Sequence, residues 1–68
     1  MELQNNITEL RAKHKVTQAQ LAETVGVSRK TINTIENRVF VPSTILALKI
    51  SKALRTSVEG VFYLDSDG

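Results

Sequence analysis

The 68 residues contain no cysteine and no tryptophan, one histidine, one proline and only three aromatic rings, Phe40, Phe62 and Tyr63. Without cysteine no disulfide staples the fold, and a chain this short is one domain with a single small core. His14 alone cannot build a zinc site, so no metal and no cofactor are expected. The longest apolar stretch, Thr44 to Leu48, falls far short of the roughly 20 residues that span a bilayer. No basic segment followed by an apolar run opens the chain, so neither a membrane partner nor a signal peptide is expected. The lack of cysteine fits a cytoplasmic protein. Paired carboxylates at catalytic spacing, nucleophile–base sets and Gly-rich phosphate loops are all missing. So small a core barely supplies the walls of a substrate pocket, and neither an enzyme nor a small-molecule ligand is expected.

What is present is charge, unevenly placed. The net charge is +2. Residues 11–38 hold Arg11, Lys13, Lys15, Arg29, Lys30 and Arg38 against Glu23 and Glu36, a local net of +4. The first ten residues are acidic, and the remainder is nearly balanced. Such a distribution favours a polyanionic partner.

Apolar residues recur with a period of 3.6 nearly throughout. Ile7, Leu10, Arg11 and His14 mark a first helix over 6–14, capped by Asn5 or Asn6. Thr17 caps a second, with Gln20 completing a capping box, and Leu21, Ala22 and Val25 form its inner stripe. Gly26 supplies the left-handed residue that ends it. Ser28 caps a third helix with Ile32, Ile35 and Glu36 inward. After a loop over 37–42, Pro42 and Ser43 open a fourth over 44–54, with Ala47, Ile50, Ser51 and Leu54 inward. Ser57 caps a last short turn in which Val58, Val61 and Phe62 close the core. The expectation is an all-α, compact five-helix bundle over 1–64 with a frayed tail over 65–68. The two ends, Met1–Gln4 and Phe62–Leu64, can add a short two-stranded β-ribbon.

Thr17 to Asn37 has the form of a helix-turn-helix, in which the second helix enters the major groove of DNA and the first crosses the backbone. On the third helix, Arg29 and Asn33 share the surface opposite Ile32 and Ile35, as do Lys30 and Thr34, with Thr31 at the border. These side chains suit base edges: Arg29 or Lys30 for guanine, Asn33 for adenine, threonine methyls for thymine. Gln18 and Ser28 stand at helix N-termini, where free N–H groups favour an anion. With Lys15, Asn37 and Arg38 they suit phosphate. Arg11 and Glu36 lie on apolar stripes, where a lone charge is costly. They are expected to pair and to fix the first helix against the third.

The runs Val16–Glu23, Val25–Arg29, Ile32–Asn37, Pro42–Ser43 and Ala47–Leu54 resemble the phage-repressor/Cro-type helix-turn-helix regulators, the xenobiotic-response-element family, over about Asn6 to Phe62. The likeness is to its very short members with a small terminal β-ribbon. It implies a lambda-repressor-like bundle that binds double-stranded operator DNA, commonly as a twofold dimer. It also implies phosphate contacts from Gln18, Asn37 and Arg38, and base reading by Ser28, Arg29, Lys30, Thr31 and Thr34. The resemblance likewise implies a structural role for an Arg11–Glu36 pair. After Glu36 the family often has a basic residue and then glycine, whereas here Asn37-Arg38-Val39-Phe40 follows. Thr44 replaces a common apolar residue.

With no second domain expected after the bundle, any dimer contact must come from the bundle or its ends. Ile45, Val58, Val61, Phe62, Tyr63 and Leu64 are the candidates, although Val58, Val61 and Phe62 also serve to close the core. The leading expectation is a homodimeric, sequence-specific DNA-binding transcription regulator, a repressor, that reads a near-palindrome. The alternative is an antitoxin-like protein-interaction module.

Overall fold

Each helix of the chain starts where the sequence offers an oxygen for its first free N–H groups. In the computed structural model, which describes residues 2–65, the order is β1 (Leu3–Asn5), α1 (Ile7–His14), α2 (Gln18–Val25), α3 (Arg29–Glu36), α4 (Thr44–Ala53), α5 (Val58–Val61) and β2 (Phe62–Leu64). The fold is a bundle of five helices carrying a short antiparallel ribbon. Thr17, Ser28, Ser43 and Ser57 each accept a first-turn backbone N–H through the side-chain oxygen. At α2 the capping box closes: Gln20 N–H donates to Thr17 Oγ1 at 3.0 Å, and Thr17 N–H to Gln20 Oε1 at 2.9 Å.

At α1 the capping is divided. Asn6 occupies the cap position but its side chain makes no cap bond there. Instead Asn5 Oδ1 accepts Ile7 N–H at 3.2 Å, while Asn5 Nδ2 donates to the Ile35 carbonyl at 3.0 Å. One side chain therefore caps the start of α1, whose first N–H groups lack partners in their own helix, and adds a second donor to an α3 carbonyl that already accepts Arg38 N–H.

Gly26 ends α2 at φ 82, and its N–H returns to the carbonyls of Ala22 and Glu23. A Cβ at that φ is strained, which is why the turn falls on glycine. Ala22 is buried in the core, where its small side chain lets α2 approach its neighbours closely.

The core is made by Ile7, Leu21, Ala22, Val25, Ile32, Ile35, Ile50, Leu54, Val61 and Phe62. Ser51 is buried among them, its hydroxyl donating to the Ala47 carbonyl at 2.8 Å. The ribbon pairs Leu3 with Leu64, Gln4 with Tyr63 and Asn5 with Phe62. Its pairing extends to Asp65, whose N–H donates to the Glu2 carbonyl at 2.9 Å, so the chain is still tied down where fraying was expected to begin. The rest of that expected tail, 66–68, lies outside the described residues, as does Met1.

Of the candidate dimer residues, Val61 and Phe62 are buried within their own chain, closing its core. Val58 is half-buried against the same core. Ile45, Tyr63 and Leu64 remain exposed, joined by Leu48 and by Val39, Phe40 and Val41 of the loop between α3 and α4.

Candidate nucleic-acid interface

The geometry of α3 follows from its two buried isoleucines. Ile32 and Ile35 are driven into the core, which turns Arg29, Lys30 and Asn33 out to solvent and leaves Thr31 and Thr34 half-buried at the flanks. At the entry of the helix, Ser28 Oγ accepts Thr31 N–H at 3.1 Å and lies 2.9 Å from Thr31 Oγ1. Thr34 Oγ1 donates to the Thr31 carbonyl at 2.9 Å, so its proton is committed to its own helix.

The only acid of α3, Glu36, is turned away from that face. Arg11 Nε donates to Glu36 Oε2 at 2.7 Å and Arg11 Nη2 to Oε1 at 3.2 Å. Thr8 Oγ1 and Gln18 Nε2 also donate to Oε1, each at 3.0 Å. Arg11 Nη1 caps the arrangement by donating to the Val16 carbonyl at 3.1 Å. One carboxylate, its side chain 7% exposed, thus ties together α1, α2 and α3. Burial by itself pushes the Glu36 carboxyl up. The hydrogen bonds from Arg11, Gln18 and Thr8, with the charge of Arg11, outweigh it and hold the group below its ordinary value.

A folded-state value below the unfolded one means that folding favours the carboxylate. This stabilisation is complete above the unfolded value, about 4.3, and is lost as pH falls through the lower folded one. Glu36→Gln lacks it. Thermal melts from pH 7 to pH 3 are expected to show a gap in Tm between wild type and Glu36→Gln that narrows below about pH 4.3. A gap constant over this range would contradict the assignment.

The residues expected at phosphate sit around this centre. Gln18 Nε2 donates to both Glu36 and Asn33 Oδ1, the latter at 3.2 Å, so its amide is occupied inside the protein. What the start of α2 still offers an anion is the backbone N–H groups of Gln18 and Ala19, since the capping box takes those of Thr17 and Gln20. Lys15 is exposed in left-handed conformation just after α1. Asn37 caps the end of α3, and Arg38 follows at φ 63. Arg38 Nη1 donates to Gln4 Oε1 at 2.8 Å and so links the ribbon to the loop beside α3.

Arg38 takes the backbone conformation that favours glycine, at a strain of about 1–2 kcal/mol. Arg38→Gly is expected to release part of that strain and leave the midpoint of urea unfolding unchanged or higher, despite the lost bond to Gln4. A fall of more than about 1 kcal/mol would show that the Gln4 bond matters more than the strain.

The periodicity gave no sign of Thr8 as a Glu36 ligand, although it lies three residues before Arg11 on the same face of α1. Nor did it single out Gln4 as the partner of Arg38, since a contact between a strand and a distant loop leaves no local pattern. The apolar run Val39-Phe40-Val41 was visible in the sequence, but only the structure shows that it stays exposed beside α3.

Among the described residues no helix is long and apolar enough to cross a membrane, and no cluster of His, Cys, Asp or Glu is placed to hold a metal.

Known proteins share both the pattern and the shape. The family described as helix-turn-helix matches residues 7–61. An uncharacterized HTH-type transcriptional regulator of Bacillus subtilis, YgzD, is 46% identical over 65 residues, covering 96% of this chain and 98% of that one. Another, from Methanothermobacter thermautotrophicus, is 48% identical over 63 residues and 91% of each chain. Among solved structures, the restriction-modification controller protein C.AhdI of Aeromonas hydrophila superposes with a TM-score of 0.75 at 26% identity, over 79% of this chain and 82% of that one. The master regulator for biofilm formation SinR, solved in complex with DNA, gives 0.72 at 30% identity over 78% and 86%.

Proposed function

The chain belongs to the Cro/C1-type helix-turn-helix family, a family of transcriptional regulators with a DNA-binding fold, and from that premise we propose that it is a homodimeric repressor of a near-palindromic operator. The observation that carries the reading is the outward face of α3. It presents Arg29, Lys30 and Asn33 to solvent, and its one carboxylate is neutralised inward by Arg11. A face free of acid accepts the phosphate-lined major groove without repulsion.

In this reading residues 28–36 lie in the groove. Ser28, Arg29, Lys30, Thr31, Asn33 and Thr34 meet base edges, and Arg29 or Lys30 pairs with guanine. Lys15, Asn37, Arg38 and the N-terminus of α2 at Gln18 meet phosphates and set the register. SinR, at 30% identity, was solved bound to DNA, which supports a duplex as the partner. The exposed apolar residues Ile45, Leu48, Tyr63 and Leu64 are the surface available to a second copy. A twofold dimer places its two recognition helices about 34–36 Å apart, one turn of the duplex. Bound there, the dimer represses by occlusion.

The test is enrichment of duplexes from a randomised pool at about 150 mM salt, where binding through phosphates alone is weakened. Two inverted half-sites about one turn apart are expected, with a dimer by light scattering. A single half-site, or a monomer at tens of micromolar, would remove the dimer from the reading. No enrichment by folded protein would replace the reading with that of a protein-interaction module.

A further inference from the structure

The loop after α3 is unusual in what it leaves in water. Val39 is 77% exposed and Phe40 48% exposed, yet the backbone between them is firmly held. Val39 N–H and Phe40 N–H both donate to the Thr34 carbonyl, at 2.9 and 3.2 Å. The loop folds back over the end of α3 through the left-handed Arg38, whose guanidinium is fastened to Gln4. Two apolar side chains are thus set beside the outward face of α3 rather than swept about by a loose loop.

Between them and the helix lies an open hollow of about 350 Å³, lined by Lys30, Thr31, Thr34, Val39 and Phe40. Three of these residues belong to the face assigned above to base reading. No carboxylate lines the hollow, and Lys30 stands at its wall, so its charge suits a polyanion. The committed proton of Thr34 leaves it nothing to donate to a base edge. The hollow is therefore apolar on the loop side, and Thr34 brings no free donor to its helix side. In the major groove, the apolar group that base edges present is the C5-methyl of thymine.

We propose that this hollow receives the methyl edge of an operator thymine, with Val39 and Phe40 acting as a second, apolar element of base recognition alongside the polar face of α3. The inference rests on the reading of the chain as an operator-binding protein. It adds specificity determinants outside the recognition helix itself.

The test replaces each thymine of an enriched duplex in turn by deoxyuridine, which removes only the methyl, and measures Kd for wild type and for the double variant Val39→Ser/Phe40→Ser. Both side chains are exposed, and a thermal melt establishes that the variant is folded. For wild type, one replacement is expected to weaken binding about fourfold, the worth of one buried methyl-sized group. In the double variant the thymine-to-uracil ratio at that position is expected to fall to about one, with the other positions unchanged. The proposal is overturned if no replacement matters to wild type, or if the ratio survives in the variant, which would assign the methyl to Thr31 and Thr34. It is equally overturned if the variant binds every duplex more weakly at an unchanged ratio, since the loop would then touch only sugars of the backbone. Wild type that binds no unmodified duplex overturns the operator-binding reading itself, an outcome visible before any thymine is replaced.

Discussion

Glu36→Ala is expected to destabilise the chain by about 3–5 kcal/mol, the usual cost of breaking a buried ion pair by removing one partner. A domain of this size has about 3–10 kcal/mol in all, so the loss removes about a third of the stability or more and unfolds the variant only at the low end of that range. The reason lies in what stays behind. Arg11 keeps its bond to the Val16 carbonyl but loses both contacts to Glu36, and Thr8 and Gln18 lose their acceptor as well. Three helices share that carboxylate, so the loss falls on their mutual packing and not on one contact. Urea unfolding followed by circular dichroism measures it, and a cost below about 1 kcal/mol would show that the pair contributes little. The pair of substitutions Arg11→Met and Glu36→Leu is expected to recover most of the loss, because it removes the orphaned charge together with its partner. The same double variant tests function independently. If the network only builds the scaffold, its affinity for DNA stays near wild type once it is folded. If Gln18 needs Glu36 to be held in place for the duplex, affinity falls while stability does not.

Arg29→Ala is expected to weaken binding to the selected operator by about 1–3 kcal/mol, roughly five- to 150-fold, with relaxed preference at one base pair of each half-site. Arg29 is the first residue of α3 and is exposed, so its removal leaves the core untouched and the melting temperature nearly unchanged. Its contribution is visible only as discrimination between sequences. Arg38→Ala gives the contrasting pattern: a similar loss on every duplex and a salt dependence shallower by about one phosphate contact. Competition with single-base variants of the operator, repeated at two salt concentrations, separates the two. Equal losses on all sequences for Arg29→Ala would move that residue from base reading to phosphate binding.

Much of the architecture follows from patterns within a few residues. Thr17, Gln20, Ser28, Ser43 and Ser57 announce helix starts because a cap needs only a side-chain oxygen two or three residues ahead of a free N–H. Gly26 announces the turn because its φ excludes most other residues. Ile32 and Ile35 orient α3, and that orientation alone places Arg29, Lys30 and Asn33 outward. The odd placement of Arg11 and Glu36 on apolar stripes points to a pair, since nothing else makes such charges tolerable there.

Other features depend on what meets across the fold. Asn5 and Asn6 are equivalent as candidate caps in sequence. Asn5 takes the role because the ribbon brings its amide within reach of Ile35 as well as Ile7. Val58, Val61, Phe62, Tyr63 and Leu64 are all apolar neighbours near one end of the chain. Only the docking of α5 and β2 separates the buried Val61 and Phe62 from the exposed Tyr63 and Leu64.

Local chemistry therefore determines from the sequence where the helices begin, which face of each is buried and which face of α3 is polar. Tertiary structure decides which groups are left over to act. It occupies the amide of Gln18, fastens Arg38 to Gln4 and holds Val39 and Phe40 in water beside Thr34. The physical reason is range. A cap or an amphipathic face is set by groups within one or two turns, whereas a free donor or an exposed side chain is defined by what distant elements fail to cover.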